Sequence, residues 1–186
     1  MSVDGLLVVL DQQNQVVQSE SQIDWYSPRP VTSPTGPTYT AVNAADGQPH
    51  GAYEIEDFAF DSQLLHGAGT AATSKVTFDP LAITMRVDKA SSLLFQDLAG
   101  HIEFNSIDLI LNKSAGGDAS GLPYLVVGFG TVFGRSFSVS YDDESPKLAL
   151  TFTYQQMQIA YRQQQPDGSF GSWVVRGWDR ASNKAI

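Results

Sequence analysis

The sequence predicts a mainly β protein, a small antiparallel β-barrel or sandwich with one flanking α-helix, in a single domain covering residues 1–186. Short apolar segments recur along most of the chain, and several alternate apolar with polar residues, as strands with one buried face do. Only one segment, at about 89–100, has apolar residues spaced by one helical turn. A chain of 186 residues is also long enough to bury a substantial core.

The N-terminal part combines a buried strand with a long loop. Leu6–Leu10 is a continuous apolar run, which predicts a buried strand. Between Tyr26 and Gly51, five prolines alternate with Thr, Ser, Gly and Asn. Because proline lacks an N–H donor and fixes φ, this composition predicts a long, irregular Pro-rich loop at about 26–51. The segment before the loop is too short to form a separate domain.

The middle of the chain predicts two strands with a local irregularity. Tyr53–Phe60 alternates apolar with polar residues, and Val76–Val87 does so on either side of Asp79 and Pro80. The apolar phase shifts by one residue at this Asp-Pro pair. A β-bulge there would keep the same face of one strand turned inward, and proline is tolerated at bulges.

One helix is predicted after these strands. Leu94 and Leu98 stand one helical turn apart, Asp88 or Ser91 can cap the start, and Gly100 is a natural stop. The C-terminal half returns to strands separated by turns rich in Gly, Ser, Asp and Pro. The expected strands of that half are Ile102–Leu111, Tyr124–Tyr141, Leu148–Arg162 and a short one starting at Trp173.

The composition argues against several classes of protein. A formal net charge of −9 disfavours binding to nucleic acids or insertion into anionic membranes, which attract Lys and Arg. The absence of cysteine rules out disulfides and thiolate chemistry. The sequence has no apolar run of about 20 residues, so it predicts no membrane-spanning helix. Because Asp4 stands where a signal peptide would carry basic residues, we expect no ordinary signal peptide.

No catalytic or metal-binding constellation is evident in the sequence. The three histidines lack metal-ligand spacing, and the glycines from Gly128 to Gly134 lie inside a strand pattern, which favours close packing over phosphate binding. Glu54 and Glu56 are expected to share a solvated or interface face of a strand. We therefore expect no catalytic residue, cofactor or metal site, and no enzyme. The histidines are His50, His66 and His101.

Three aromatic residues lie in or beside the Pro-rich loop. Trp25, Tyr26 and Tyr39 occupy a segment that cannot easily bury itself. Exposed aromatic side chains are frequent anchors of protein interfaces. We therefore treat these three residues as candidates for contacts between subunits, with packing against their own domain as the alternative.

Several segments together resemble the Hcp family of bacterial type VI secretion. Lys75–Phe95, with its Asp-Lys-Ala-Ser, resembles that family's strand leading into a helix, and Ala99–Ile102 resembles the end of the helix. Leu122–Leu125 is similar to a segment with a Tyr-Leu pair, and Gly177–Lys184 to the terminal Gly-Trp-Asp…Asn-Lys. The resemblance covers most of residues 53–186, although the N-terminal loop is longer than is usual in the family.

The resemblance implies a β-barrel with a flanking helix and a structural role. Members form hexameric rings that stack into a hollow tube, which a contractile sheath propels behind a spike, and which can carry effector proteins. The expected partners are therefore further copies of the chain, the spike, the sheath and effectors. The resemblance further implies assembly in the bacterial cytoplasm and secretion without a signal peptide, and it carries over no catalytic residue.

Two other classes remain open from the sequence. A β-sandwich binding module could use the aromatic-bearing loop to hold carbohydrate or peptide, and it would be monomeric in solution. An enzyme is supported only by the generic presence of histidines and carboxylates. The mass of the protein in solution distinguishes a module from a ring.

Overall fold

The computed structural model describes residues 3–21, 25–29, 38–42, 51–64, 76–113, 121–141 and 145–186. In this part of the chain, strands dominate and one helix, α1, spans Ser91–Ala99. The strands are β1 Val3–Leu10, β2 Trp25–Arg29, β3 Thr38–Val42, β4 Tyr53–Ala59, β5 Ser62–Leu64, β6 Val76–Phe78, β7 Leu81–Arg86, β8 Glu103–Lys113, β9 Leu122–Tyr141, β10 Pro146–Tyr161, β11 Val174–Asp179 and β12 Lys184–Ala185.

Six strands form a closed antiparallel barrel. Their order is β10-β7-β4-β1-β8-β9, and pairing of β9 with β10 closes the circle. Strands β11 and β12 extend the sheet outward from the C-terminal half of β10. This architecture confirms the predicted class, a small antiparallel β-barrel with one flanking helix.

The barrel interior is filled by alternate residues of its strands. On β10, Leu148, Leu150, Phe152 and Tyr154 all point inward and are buried. Aromatic rings meet there edge to face, as Phe129 and Tyr154 do at 4.7 Å between ring centroids. Such pairs add to the stabilisation that burial of apolar area provides.

A second apolar cluster lies on the outer face of the barrel. Because Leu6 and Val8 point outward from β1 while Leu7 and Val9 point inward, four consecutive residues of this strand are buried. This confirms the sequence interpretation of Leu6–Leu10 as a buried strand. The outer cluster consists of Leu6, Val8, Ala52, Ile110, Val126 and Ala160, with Leu10, Val16, Trp173 and Val175 packed against it.

The expected bulge at Asp79 and Pro80 is wrong. The residues before it form β6, which pairs with β5 in a separate hairpin, and the residues after it form β7 of the barrel. The change in apolar phase therefore marks a change of sheet. The irregularity in this region lies in β4, where the register with β7 shifts between Ile55 and Asp57.

The helix lies within its predicted bounds. Two hydrogen bonds order the residues before it: the Asp88 carboxylate accepts from the Ala90 N–H at 2.9 Å, and the Asp88 N–H donates to Ser91 Oγ at 3.0 Å. The N-cap residue is Ala90, which makes no side-chain capping hydrogen bond, so the expected cap by Asp88 or Ser91 is wrong. Leu94 is buried in the barrel core, and the Gly100 N–H donates to the Gln96 carbonyl at the other end. The helix thus packs on the barrel, with Leu94 in the core and Phe95 and Leu98 against β9.

Part of the predicted Pro-rich loop is regular. Strands β2 and β3 pair antiparallel within it, with Trp25 opposite Val42 and Pro28 opposite Tyr39. Nine residues of the segment predicted as irregular therefore belong to a hairpin. Residues 30–37 and 43–50 of that segment, including His50, lie outside the described residues, as does His66.

Candidate functional site

Two of the polar residues singled out from the sequence, Glu56 and His101, contact neighbouring side chains in the described part of the chain. Glu56 forms ion pairs with Arg86 and Lys147 on neighbouring strands, at 3.4 and 3.2 Å. His101 follows the helix with a positive φ of 55° and stacks on Phe133 at 5.3 Å. Among the described residues, no group of three or more potential metal ligands comes together, and no helix is long and apolar enough to cross a membrane.

One buried carboxyl group was not anticipated from the sequence. Asp108 on β8 is only 7% exposed, between Val8 and Gly128 on the adjacent strands. Ser106 Oγ donates a hydrogen bond to it at 3.4 Å. Burial raises the pKa of Asp108 to about 7, while the hydrogen bond from Ser106 acts in the opposite direction. Neither of these two causes is a charged neighbour.

Exposed apolar side chains gather at the helix end of the barrel. Phe95 on α1 is 53% exposed and meets Phe137 of β9 edge to face at 5.3 Å. Val139 and Tyr141 continue the same row of β9 and are 55% and 76% exposed. A row of exposed apolar residues on neighbouring elements is typical of a surface that contacts another protein.

The same stretch of β9 has an open backbone edge. Pairing with β8 ends at Phe133, whereas pairing with β10 continues to Tyr141. Among the described residues, no backbone hydrogen bond reaches Ser136–Tyr141 from the other side. An open strand edge presents N–H and C=O groups to any chain that can pair with it.

The predicted contact residues lie on the hairpin. Trp25 and Tyr26 stand on β2, opposite Val42 and Ala41, and Tyr39 stands on β3. The hairpin therefore brings all three positions onto one element. Their role in contacts between subunits stays a prediction.

The comparison with known proteins identifies the family. The chain matches the family described as "Type VI secretion system effector, Hcp" over residues 43–161, which is well over half of its length. This chain belongs to the Hcp family. No curated protein matches it in sequence.

Solved structures of type VI secretion proteins share the fold of this Hcp protein at low sequence identity. A type six secretion system protein superposes with a TM-score of 0.72 at 20% identity, over all of both chains. Hcp1 from Salmonella typhimurium gives 0.68 at 17% identity, also over all of both chains. The secreted protein Hcp3 from Pseudomonas aeruginosa gives 0.57 at 13% identity, over 96% of this chain and 98% of that one.

The Asp-Lys-Ala-Ser motif by which the chain resembles Hcp proteins joins the N-terminal segment to the helix. The Lys89 N–H donates to Glu20 Oε1 at 2.8 Å, and the Glu20 N–H donates to Asp88 Oδ2 at 3.3 Å. Ser19 and Ser21 on either side are held by Ala52 and Glu54. The motif thus positions the chain segment that leads into the Pro-rich loop.

The C-terminal Gly-Trp-Asp…Asn-Lys motif folds the chain end back onto the barrel. The Asp179 carboxylate accepts N–H groups of Ala181 and Ser182 at 2.8 and 3.1 Å, which turns the chain so that β12 pairs with β11. Arg180 donates to the Tyr154 carbonyl at 2.6 Å and lies over the rings of Tyr154 and Phe78. These contacts tie the C-terminal segment to β10 and β6.

Glycines in β9 permit close packing, as the strand pattern predicts. A Cβ atom on Gly134 would lie 2.9 Å from Cγ and Cδ1 of Leu98, so the helix could not approach as closely. A Cβ atom on Gly130 would lie 3.2 Å from Gln156 Oε1. The two glycines serve helix packing and strand packing, in agreement with the structural interpretation.

Proposed function

We propose that this Hcp protein is a structural subunit that assembles with copies of itself into hexameric rings, which stack into the inner tube of a type VI secretion system. The observation that carries the proposal is the family match over residues 43–161. The open β9 edge and the exposed apolar row beside it support self-association, because both are unfavourable features for a free monomer. A ring requires two different surfaces on each subunit, which meet head to tail and close on rotation.

The β2–β3 hairpin is proposed as a second contact between subunits. It is held at its start by the Glu20 and Asp88 hydrogen bonds, which anchor the preceding segment to the helix. Trp25, Tyr26 and Tyr39 on this hairpin would supply large apolar contact area to the neighbouring ring or subunit. The extended segment therefore strengthens stacking rather than acting as a linker.

The partners follow from the proposed role in a tube. They are further copies of the chain, the spike at the tip, the contractile sheath around the tube and effector proteins carried inside it. We propose that rings assemble in the bacterial cytoplasm and leave the cell through the system itself, without a signal peptide. The secreted Hcp3 from Pseudomonas aeruginosa, a protein of the same fold, supports export.

Analytical ultracentrifugation and electron microscopy test the proposal together. Six copies of a 20.2 kDa chain give about 121 kDa, and we expect this mass together with ring-shaped particles of six-fold symmetry. A chain that stays at 20.2 kDa at high concentration would contradict the ring and favour the monomeric β-sandwich binding module for carbohydrate or peptide.

A triple variant tests the hairpin separately. Ring stacking should weaken when the three aromatic residues are replaced together (Trp25→Ser, Tyr26→Ser and Tyr39→Ser), because the change removes apolar contact area. Tyr161→Ser is the matched control, since Tyr161 is an exposed tyrosine on the barrel itself. Unchanged rings and stacks in the triple variant would refute the proposed contact and leave the remaining proposal intact.

A further inference from the structure

A polar strip crosses the outer face of the barrel beside the outer apolar cluster. Because Ile107 of β8 packs in the barrel core, its neighbours Ser106 and Asp108 point to the outer face. On β9 they are paired with Gly130 and Gly128, respectively. Neither glycine has a side chain, and both are only half-buried. A hydroxyl and a carboxyl group therefore stand at one side of a bare stretch of backbone.

Two glutamines of β10 stand at the other side of this stretch. Gln156 is paired with Gly130, and Gln158 is paired with Gly128. Because neighbouring strands are about 4.8 Å apart, the backbones of β8 and β10 are separated by about 10 Å across the glycines. The side chain of Gln158 leans toward Gly177 on β11, away from Gly128. The result is a glycine slot, floored by Gly128 and Gly130, with room for one narrow chemical group.

The polar atoms around the glycine slot are hydrogen-bond acceptors. Gln156 Nε2 donates to Asp179 Oδ2 at 3.0 Å, so the amide oxygen of Gln156 faces the opposite way. That oxygen lies 3.2 Å from the position that a Cβ atom on Gly130 would take. Across the slot, an ionised Asp108 carboxylate can only accept, and Ser106 Oγ, which donates to it at 3.4 Å, retains its lone pairs. A ligand that fits these groups must bring several hydrogen-bond donors.

The carboxylate at the slot has no cationic partner among the described residues. Asp108 is 7% exposed, and neither of the two causes that shift its pKa is a charged neighbour. The residues level with it and with the adjacent serine are Val8 and Leu10 on β1, two glycines on β9 and two glutamines on β10, none of which titrates. Asp179 on β11 lies beyond Gln156 and is also an acid. A bound cation that donates hydrogen bonds would offset the cost of the buried carboxylate.

We propose that the glycine slot binds an alkylammonium group, with the Asp108 carboxylate as its charge partner and Ser106 Oγ and Gln156 Oε1 as further acceptors. An ammonium group places three N–H donors at the end of a narrow chain, which matches three acceptors around a bare floor. A small amine and a lysine side chain of a partner protein share this chemistry. The net charge of −9 attracts either of them. The inference goes beyond the proposed function, because it does not require a ring.

Titration of the full chain with butylammonium chloride at about pH 8, followed by amide NMR, tests the binding. We expect the signals of Gly128 and Gly130 to shift and to saturate. Tetramethylammonium chloride carries the same charge without an N–H donor, so it should leave both signals in place. At about pH 5.5, where Asp108 with its pKa of about 7 is protonated, the affinity for butylammonium should fall about tenfold or more. The absence of a saturable shift, an equal response to tetramethylammonium or an unchanged affinity at the lower pH would overturn the proposal.

Two variants test the slot from its two sides. Asp108→Asn removes the charge and Gly128→Val fills the floor while keeping the carboxyl, so each should weaken butylammonium binding about tenfold or more, as reported by the Gly130 signal. Glu103→Gln, which changes a less buried carboxylate of the same strand, should bind as the wild type does. Wild-type affinity in both Asp108→Asn and Gly128→Val would contradict binding in the slot.

A lysine-containing peptide distinguishes the two sources of the ammonium group. The peptide is acetyl-Gly-Lys-Gly-amide, which presents the same alkylammonium group on a protein backbone. Tighter binding of this peptide than of butylammonium would assign the slot to a lysine side chain of a partner protein. Equal or weaker binding of the peptide would assign it to a small amine.

Discussion

Asparagine in place of Asp108 should stabilise the folded protein above neutral pH. The carboxyl group lies between the paired strands β1 and β9, and among the described residues its one side-chain hydrogen bond comes from Ser106 at 3.4 Å. Asparagine has nearly the same shape and carries no charge, so the variant avoids the cost of burying an ionised group. The effect should be largest where the wild-type carboxyl is ionised.

The magnitude follows from the difference in proton affinity between the folded and unfolded chains. Burial raises the pKa of Asp108 from 3.8 to about 7. Because the pKa of Asp108 is higher in the folded chain than in the unfolded chain, binding of its proton stabilises the folded chain. This contribution to the free energy of unfolding is fully present below pH 3.8 and is lost as the pH rises through about 7. At about 1.4 kcal/mol per pH unit, the loss amounts to roughly 4 kcal/mol, of which about 2 kcal/mol falls between pH 5.5 and 8.

Urea unfolding at several pH values between about 5.5 and 8.5, at one fixed protein concentration, measures this difference. We expect the free energy of unfolding of the wild type to fall with pH more steeply than that of Asp108→Asn. Glu103→Gln, which changes a less buried carboxylate of the same strand, should follow the wild-type curve. Parallel curves for the wild type and Asp108→Asn would refute the assignment of the pH dependence to Asp108.

Three further substitutions test how the helix and the C-terminal segment are held against the barrel. Gly134→Val should destabilise the protein by about 1–3 kcal/mol in urea unfolding, because the added atoms would meet Leu98 at about 2.9 Å; a neutral effect would mean that α1 can shift freely. Arg180→Ala should cost about 1–3 kcal/mol in the same assay, since it removes the bond to the Tyr154 carbonyl and the contacts with two rings; Arg180→Lys should restore part of this loss. Asp179→Ala should speed amide exchange of residues 180–186 without altering that of α1, because the turn loses its acceptor; unchanged exchange would show that β12 holds without the turn.

The barrel and its helix could be predicted from local patterns. Alternation along the two longest strands, β9 and β10, and the continuous run Leu6–Leu10 follow directly from which faces are buried. The helix was predictable because Leu94 and Leu98 are one turn apart and Gly100 follows as a natural stop, whereas the expected side-chain cap is absent from the described N-cap. These signals are local, so a single sequence carries them.

Features that depend on distant packing could not be predicted in the same way. The break at Asp79 and Pro80 looks alike in sequence whether the strand bulges or changes sheet, and only the pairing of β6 with β5 decides between them. Burial of Asp108 depends on cover over the outer face of the barrel, which alternation within β8 cannot indicate. A polar residue between Ile107 and Leu109 therefore reads as a surface residue although it is buried.

The motifs that mark the family and the surface proposed for assembly are different parts of the chain for a physical reason. The family motifs make side-chain hydrogen bonds beside the helix start and at the C-terminal turn, through Asp88, Ser91, Asp179 and Arg180. Each of these bonds requires a particular side chain. Pairing along a strand edge is made by main-chain groups, so it requires only the absence of charge, proline and cover, which many sequences satisfy. The edge Ser136–Tyr141 could be recognised only once the barrel showed where pairing with β8 stops. Sequence motifs thus report how the fold of this Hcp protein is built, whereas the contacts proposed for it were inferred from the strand edge that the described barrel leaves open.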